Sequence, residues 1–141
     1  MLEIQGTNTY RGQAQILRQV SLTVADQESV VLVGRNGAGK TTTIDTIIGL
    51  LPMRSGKITF QGKDISSLPP YRRARLGIGY APEDSGLFPD LTVEENLQIC
   101  RLLAQSSGRA AQASEANDRV YSVFPEVRQF TQRRGDRKSV V

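Results

Sequence analysis

The sequence predicts an α/β protein, and three features carry that expectation. Residues 31 to 51, VLVGRNGAGKTTTIDTIIGLL, place a glycine-rich segment between an apolar run and a stretch of helical character. Much of the rest of the first sixty residues alternates apolar with polar positions, the period of a half-buried strand. After Pro70 the spacing lengthens to that of helices.

Taken in order, LEIQG and VSLTV alternate and are expected to be strands, with DQES as a turn before a further strand, SVVLV. The helix TTTIDTIIGLL follows the glycine-rich segment, and SGKITFQGKD is expected as one more alternating strand bracketed by glycines. YRRARLG is expected as a short helix with a solvated basic face, stopped by Gly77, and IGYA as a short buried strand ended by Pro82. In DLTVEENLQICRLLAQ, Thr92 and Glu95 stand at capping-box spacing, while Val93, Leu97, Cys100, Leu103 and Ala104 share one helical face. SSGRAAQ is expected to link this helix to a weaker one over residues 112 to 124, which carries Val120, Val123 and Phe124.

With 141 residues the chain has the length of one domain, and a globule of that size buries about 70% of its unfolded surface. No apolar run approaches the roughly 18 residues of a membrane span, and MLEIQG lacks a secretory layout. A cytosolic protein is therefore expected. The chain has one cysteine, Cys100, and no histidine, which argues against a disulfide framework, a zinc site or a histidine-based triad. Cys100 is expected to be a packing residue. The formal charge of +4 resides in the tail, because 13 basic and 13 acidic residues remain in positions 1 to 127. Nucleic-acid binding needs a clustered basic face, so it is not expected.

Gly34 to Thr41 satisfies the phosphate-loop pattern G-x-x-x-x-G-K-[ST], with a strand before it and a helix after it. Glycines let successive amides curl inward, where a Cβ would obstruct both the turn and an approaching phosphate. The helix that begins near Gly39 adds uncapped amides and the positive end of its dipole. Lys40 is expected to reach the β- and γ-phosphate oxygens and Thr41 to offer its hydroxyl to magnesium. The pattern alone arises by chance in about one chain of this length in 200.

At GRNGAGKTT the sequence resembles the ATP-binding subunits of ABC transporters. SGKITFQGKDISSLPPYRRARLGIGYAPEDSGLFPDLTVEENL resembles the stretch that joins the Walker A loop to their helical subdomain. The likeness is greatest to the ATPase of branched-chain amino-acid importers, with urea importers and lipopolysaccharide exporters as relatives. It covers residues 1 to about 135 and implies a P-loop NTPase core of ABC ATPase type, an antiparallel β subdomain and part of the helical subdomain. It also implies that Tyr10 stacks on adenine and that Gly34, Arg35, Asn36, Gly37, Ala38, Gly39, Lys40, Thr41 and Thr42 contact the phosphates of ATP. Glu83, in YAPED, occupies the place of the Q-loop glutamine, which senses magnesium and couples to the membrane subunit. Lys40 and Glu83 would be the catalytic groups, and Thr41 and Glu83 the metal contacts for Mg2+. Without the resemblance, Tyr10 reads as a turn aromatic and Glu83 as a solvated loop carboxylate.

Such a subunit is cytoplasmic and peripheral on the inner face of the cell membrane. It works with transmembrane permease subunits and a second ATP-binding subunit, as a homo- or heterodimer. Lipopolysaccharide export, urea import, a non-catalytic nucleotide-binding module and a small-molecule kinase remain alternatives. The signature Leu-Ser-Gly-Gly-Gln, a Walker B strand, its catalytic glutamate and the switch histidine are not found in this sequence. The domain is thus expected to be partial over 1–135, with little turnover and poor stability. Residues 136–141, DRKSVV, are expected to be an artefactual tail: GATCGGAAGAGCGTCGTG encodes them and resembles a sequencing-library adapter.

Overall fold

The computed structural model describes residues 1–83, 86–106 and 110–135, so the tail 136–141 lies outside the described residues. The chain divides into two units, Met1–Tyr80 and Ala81–Val141. The first is built on a hairpin of β1 (Leu2–Arg11) and β2 (Ala14–Val24), which pair antiparallel from Leu2 opposite Val24 to Arg11 opposite Ala14. β3 (Met53–Phe60) pairs antiparallel with the other edge of β1, and β4 (Lys63–Asp64) extends the sheet to the order β2-β1-β3-β4. Gly56 permits the close approach of β3 to β1: a Cβ there would stand 2.6 Å from the Thr7 Cα.

SGKITFQGKD is a hairpin rather than one strand. Gln61 and Gly62 both take positive φ, 50° and 76°. This is the combination a two-residue turn needs to match the twist of the strands it joins.

The helix α1 (Lys40–Ile48) ends three residues earlier than TTTIDTIIGLL implies, capped by Gly49 at φ 85°. Its Ile47 packs with Leu2, Leu22, Phe60 and Leu68 around a buried centre of Ile4, Ile58 and Ile65. α2 (Pro70–Arg75) ends before Gly77 as expected, yet its basic face is not wholly solvated. Arg73 is 4% exposed. Its guanidinium donates to the carbonyls of Thr46, Ile47, Leu68 and Ser66 at 2.7–3.0 Å. Two of those carbonyls lie in the last turn of α1, where a cation is favoured. Burial lowers the Arg73 pKa from its ordinary value, and the four carbonyls compensate the lost hydration.

Two expected strands are not formed. Residues 29–33, SVVLV, pair with no backbone among the described residues, and Val31 and Val33 are 78% and 87% exposed. A strand exists only through its ladder, so β propensity by itself leaves this run extended but unpaired. Residues 78–81, IGYA, likewise have no ladder; Ile78 packs on the first unit's core while Tyr80 is exposed.

In the second unit, α3 (Val93–Ser106) opens with the expected capping box. The Thr92 amide and hydroxyl donate to the Glu95 carboxylate at 2.7 and 2.9 Å, and the Glu95 amide donates to the Thr92 hydroxyl at 3.1 Å. Val93 and Leu97 are half-buried, while the side chains of Cys100, Leu103 and Ala104 lie outside the described residues. α4 (Ala110–Val123) begins two residues before the expected 112, so the linker SSGRAAQ is partly helical; its residues 107–109 are outside the described set. A 3-10 helix, Pro125–Phe130, follows, and the Arg133 carbonyl accepts from the Val93 amide at 2.8 Å. Among the described residues no helix is long and apolar enough to cross a membrane.

The two parts of the first unit respond differently to truncation. Ile58 is fully buried, and Ile58→Ala is expected to cost about 2–5 kcal/mol in urea unfolding. Val33→Thr is expected to stay within about 0.5 kcal/mol; equal costs would place Val33 in a core. A second expectation concerns acid. Hydrogen bonds from the Thr92 amide and hydroxyl hold the Glu95 pKa below its ordinary value. That contribution is present above the unfolded pKa of about 4.3 and is lost as pH falls through the lower folded value. Glu95→Gln should flatten the loss of α3 helicity below that pH, followed by circular dichroism; an unchanged acid limb would show that the carboxylate contributes nothing.

Candidate functional site

The glycine-rich segment forms a loop that leads into α1. Gly34, Arg35, Asn36, Gly37 and Ala38 are exposed, and the loop closes with the Ala38 amide donating to the Arg35 carbonyl at 3.1 Å. Gly39 is the N-cap at φ 95°, and no side chain caps the first turn of α1. A Cβ on Gly39 would stand 3.1 Å from Leu17 Cδ2 and 3.4 Å from Ile16 Cγ2. Glycine therefore serves here both the backbone conformation and the contact with β2.

Lys40 folds back over the loop, its Nζ donating to the carbonyls of Gly34 and Arg35 at 2.8 and 3.0 Å. Among the described residues no carboxylate pairs with it. An ammonium held by two neutral carbonyls, beside helix amides with no side-chain cap, leaves net positive potential at an exposed loop. That is the electrostatics of an anion site. Thr41 is exposed at the mouth, whereas Thr42 is buried in the first turn. The Thr43 hydroxyl donates to the Gly39 carbonyl at 2.9 Å and braces the loop's exit.

Tyr10 lies in the same unit, near the end of β1 and opposite Gln15 of β2. The next residue of β2, Ile16, is one of those close to Gly39, so the end of the β1–β2 hairpin adjoins the loop. The Arg54 guanidinium sits 5.3 Å from the centroid of the Tyr10 ring, a cation over a π face. On either side of Tyr10 the strand is tied to α1. The Thr9 and Thr46 hydroxyls are in hydrogen-bond contact at 3.1 Å, and Arg11 Nη2 donates to Asp45 Oδ2 at 2.7 Å. Sequence reasoning missed Arg11, Asp45 and Arg54. Their pairings join residues 34 and 44 positions apart, and no local pattern marks such contacts.

Magnesium demands octahedral geometry and usually keeps several waters, taking one or two protein ligands together with substrate phosphates. Thr41 is exposed at the first turn of α1, where its hydroxyl could serve as one such ligand. When bound, the ion would supply charge neutralisation to the phosphates, with Thr41 as the holder. Glu83 is exposed in a turn of the second unit.

Residues 17–138 match the ABC transporter family. The "Probable branched-chain amino acid transport ATP-binding protein LivF" of Archaeoglobus fulgidus is 34% identical over 134 residues, covering 95% of this chain and 55% of that protein. The "Lipopolysaccharide export system ATP-binding protein LptB" of Escherichia coli K12 is 39% identical over 109 residues, covering 77% of this chain and 45% of that protein. A solved ATP-binding subunit of an ABC transporter superposes with a TM-score of 0.70 at 28% identity, over 94% of this chain and 53% of that one. A cassette dimer in a post-hydrolysis state, bound to ADP and Pi, shares the fold at a TM-score of 0.74 and 21% identity, over 96% of this chain and 62% of that one. The chain spans about a third to a half of the length of the curated relatives it matches. With the family match over residues 17–138 and a partial P-loop NTPase architecture, the chain belongs to the ABC transporter family, within its ATP-binding part.

Proposed function

We propose that this chain binds MgATP at the loop Gly34 to Thr41, as the phosphate-holding part of a longer ATPase subunit that drives an importer of branched-chain amino acids or related solutes. The observation that carries the reading is the Lys40 ammonium, with no carboxylate partner among the described residues, beside the side-chain-uncapped start of α1. In this reading the loop amides of Asn36 to Thr42 and the ammonium of Lys40 receive the phosphates, Thr41 faces the magnesium and Tyr10 receives the adenine. The exposed run 29–33 supports a longer parent, because an apolar strand at such a loop is stable only when covered and paired. Glu83 would sense the metal once the parent is assembled, and transmembrane permease subunits and a second ATP-binding subunit would be its partners. The intact subunit would sit on the cytoplasmic face of the membrane.

Phosphoryl transfer depends mainly on positioning and charge neutralisation. This chain supplies the cradle and lacks the signature motif and the glutamate that would aim water, so it binds without turning over. Lipopolysaccharide export is the second reading, favoured by 51% identity over 83 residues to LptB of Haemophilus influenzae. The transport roles separate in strains that lack one ATPase or the other. Rescue of branched-chain amino-acid uptake by the longer gene supports import, and rescue of lipopolysaccharide export alone overturns it.

Calorimetric titration of MgATP into the chain should give saturable binding that Lys40→Ala weakens by about 100-fold, and phosphate release should stay at background. Equal affinity in the variant would remove Lys40 from the site. Turnover that Lys40→Ala abolishes would contradict a cradle without catalysis.

A further inference from the structure

The location of Tyr10 is not set by a regular ladder. The β1–β2 pairing changes register between Thr7 and Thr9 and again between Thr9 and Tyr10, and the β1–β3 pairing ends at Thr9 opposite Met53. Tyr10 and Arg11 therefore extend past the support of β3 on a strand end whose register is irregular. On one side that end is paired with Gln15 and Ala14 of β2, and α1 ties it a second time. Thr9 contacts Thr46, and Arg11 contacts Asp45, so the residues on both sides of the ring are tied to consecutive positions of the helix that carries the loop lysine. Asp45 lies five residues beyond Lys40, about 7.5 Å along a rigid axis. Its side chain is 11% exposed and that of Arg11 is 54% exposed. The pair thus sits at the boundary of the core, where low dielectric strengthens a hydrogen-bonded ion pair and the wet side of Arg11 limits the desolvation cost.

We propose that Arg11 and Asp45 form a clamp that sets the separation between the aromatic platform at Tyr10 and the phosphate loop, and so lets base and triphosphate be held at once. This inference rests on the nucleotide reading above. The two residues are positioning residues: Arg11 acts on the base through Tyr10, and Asp45 acts through Arg11. A clamp of this kind affects ligands that use both ends of the site and spares those that use only the loop. It also predicts strict dependence on the ring, since without Tyr10 nothing remains for the clamp to position.

The test compares Mg-bound ATP with Mg-bound tripolyphosphate as calorimetric probes of the 141-residue chain. Arg11→Gln and Asp45→Asn should each weaken ATP by about tenfold and tripolyphosphate by less than about twofold, and the double variant should lose no more than either single one. Arg11→Lys, which keeps the charge, should retain most of the ATP affinity and guards against loss of folding in the other variants. Tyr10→Ala should show the same ATP-selective loss, and adding Arg11→Gln to it should change neither probe further. Equal weakening of both probes, or a further ATP loss in the Tyr10→Ala background, would overturn the clamp and leave a general structural role. If the unsubstituted chain binds tripolyphosphate with the same affinity as ATP, the platform and its clamp fall while the loop stands. Failure of that chain to bind either probe would defeat the nucleotide reading itself, and the clamp with it.

Discussion

A lysine ammonium with no carboxylate partner among the described residues, set at the start of a helix without a side-chain cap, is the constraint from which the rest of this structure takes its meaning. Both halves of that arrangement favour an anion, because uncapped helix amides and an ammonium each attract a partner of opposite sign. The surroundings hold the two in register. Gly39 meets Ile16 and Leu17 of β2, Ile47 enters the apolar core, and Arg73 collects the carbonyls at the far end of α1. The helix is held at its start by the sheet and at its end by a buried cation. Its N-terminus is thereby presented as a fixed charge rather than a fraying end.

Legibility in the sequence followed the range of the interaction. The loop from Gly34 to Thr41, the start of α1, the Gly77 stop and the Thr92–Glu95 cap are encoded within a few residues and were readable directly. The hairpin at Gln61–Gly62 is encoded locally too, but in sequence its glycine looks like the boundary of a strand rather than a turn between two strands. Arg73 is not legible in the same way, because a charge among other arginines looks solvated and only the fold shows four carbonyls converging on it. The Arg11–Asp45 pair had no signal at all, since each partner alone is an ordinary surface-type residue.

The run SVVLV marks a different limit. Its composition is that of a buried strand, and the expectation of a strand rested on that composition. Burial and pairing are nevertheless properties of a neighbourhood, and among the described residues no ladder reaches 29–33. The antiparallel sheet, by contrast, is complete in this respect, because its strands recruit one another within the first 64 residues. The first unit therefore combines an antiparallel β layer with a glycine-rich loop whose preceding run, 29–33, is exposed. The loop's placement does not depend on that run alone, because α1 is anchored independently through Ile47, Asp45 and Thr46.

The central claim is that the backbone amides around Gly39 form the receptor for a triphosphate. Residue-resolved amide exchange with and without MgATP addresses it most directly. Protection that rises at Gly37 to Thr42 and leaves the amides of β3 and β4 unchanged is the expected result. Saturable binding without any change at those six amides would contradict the account.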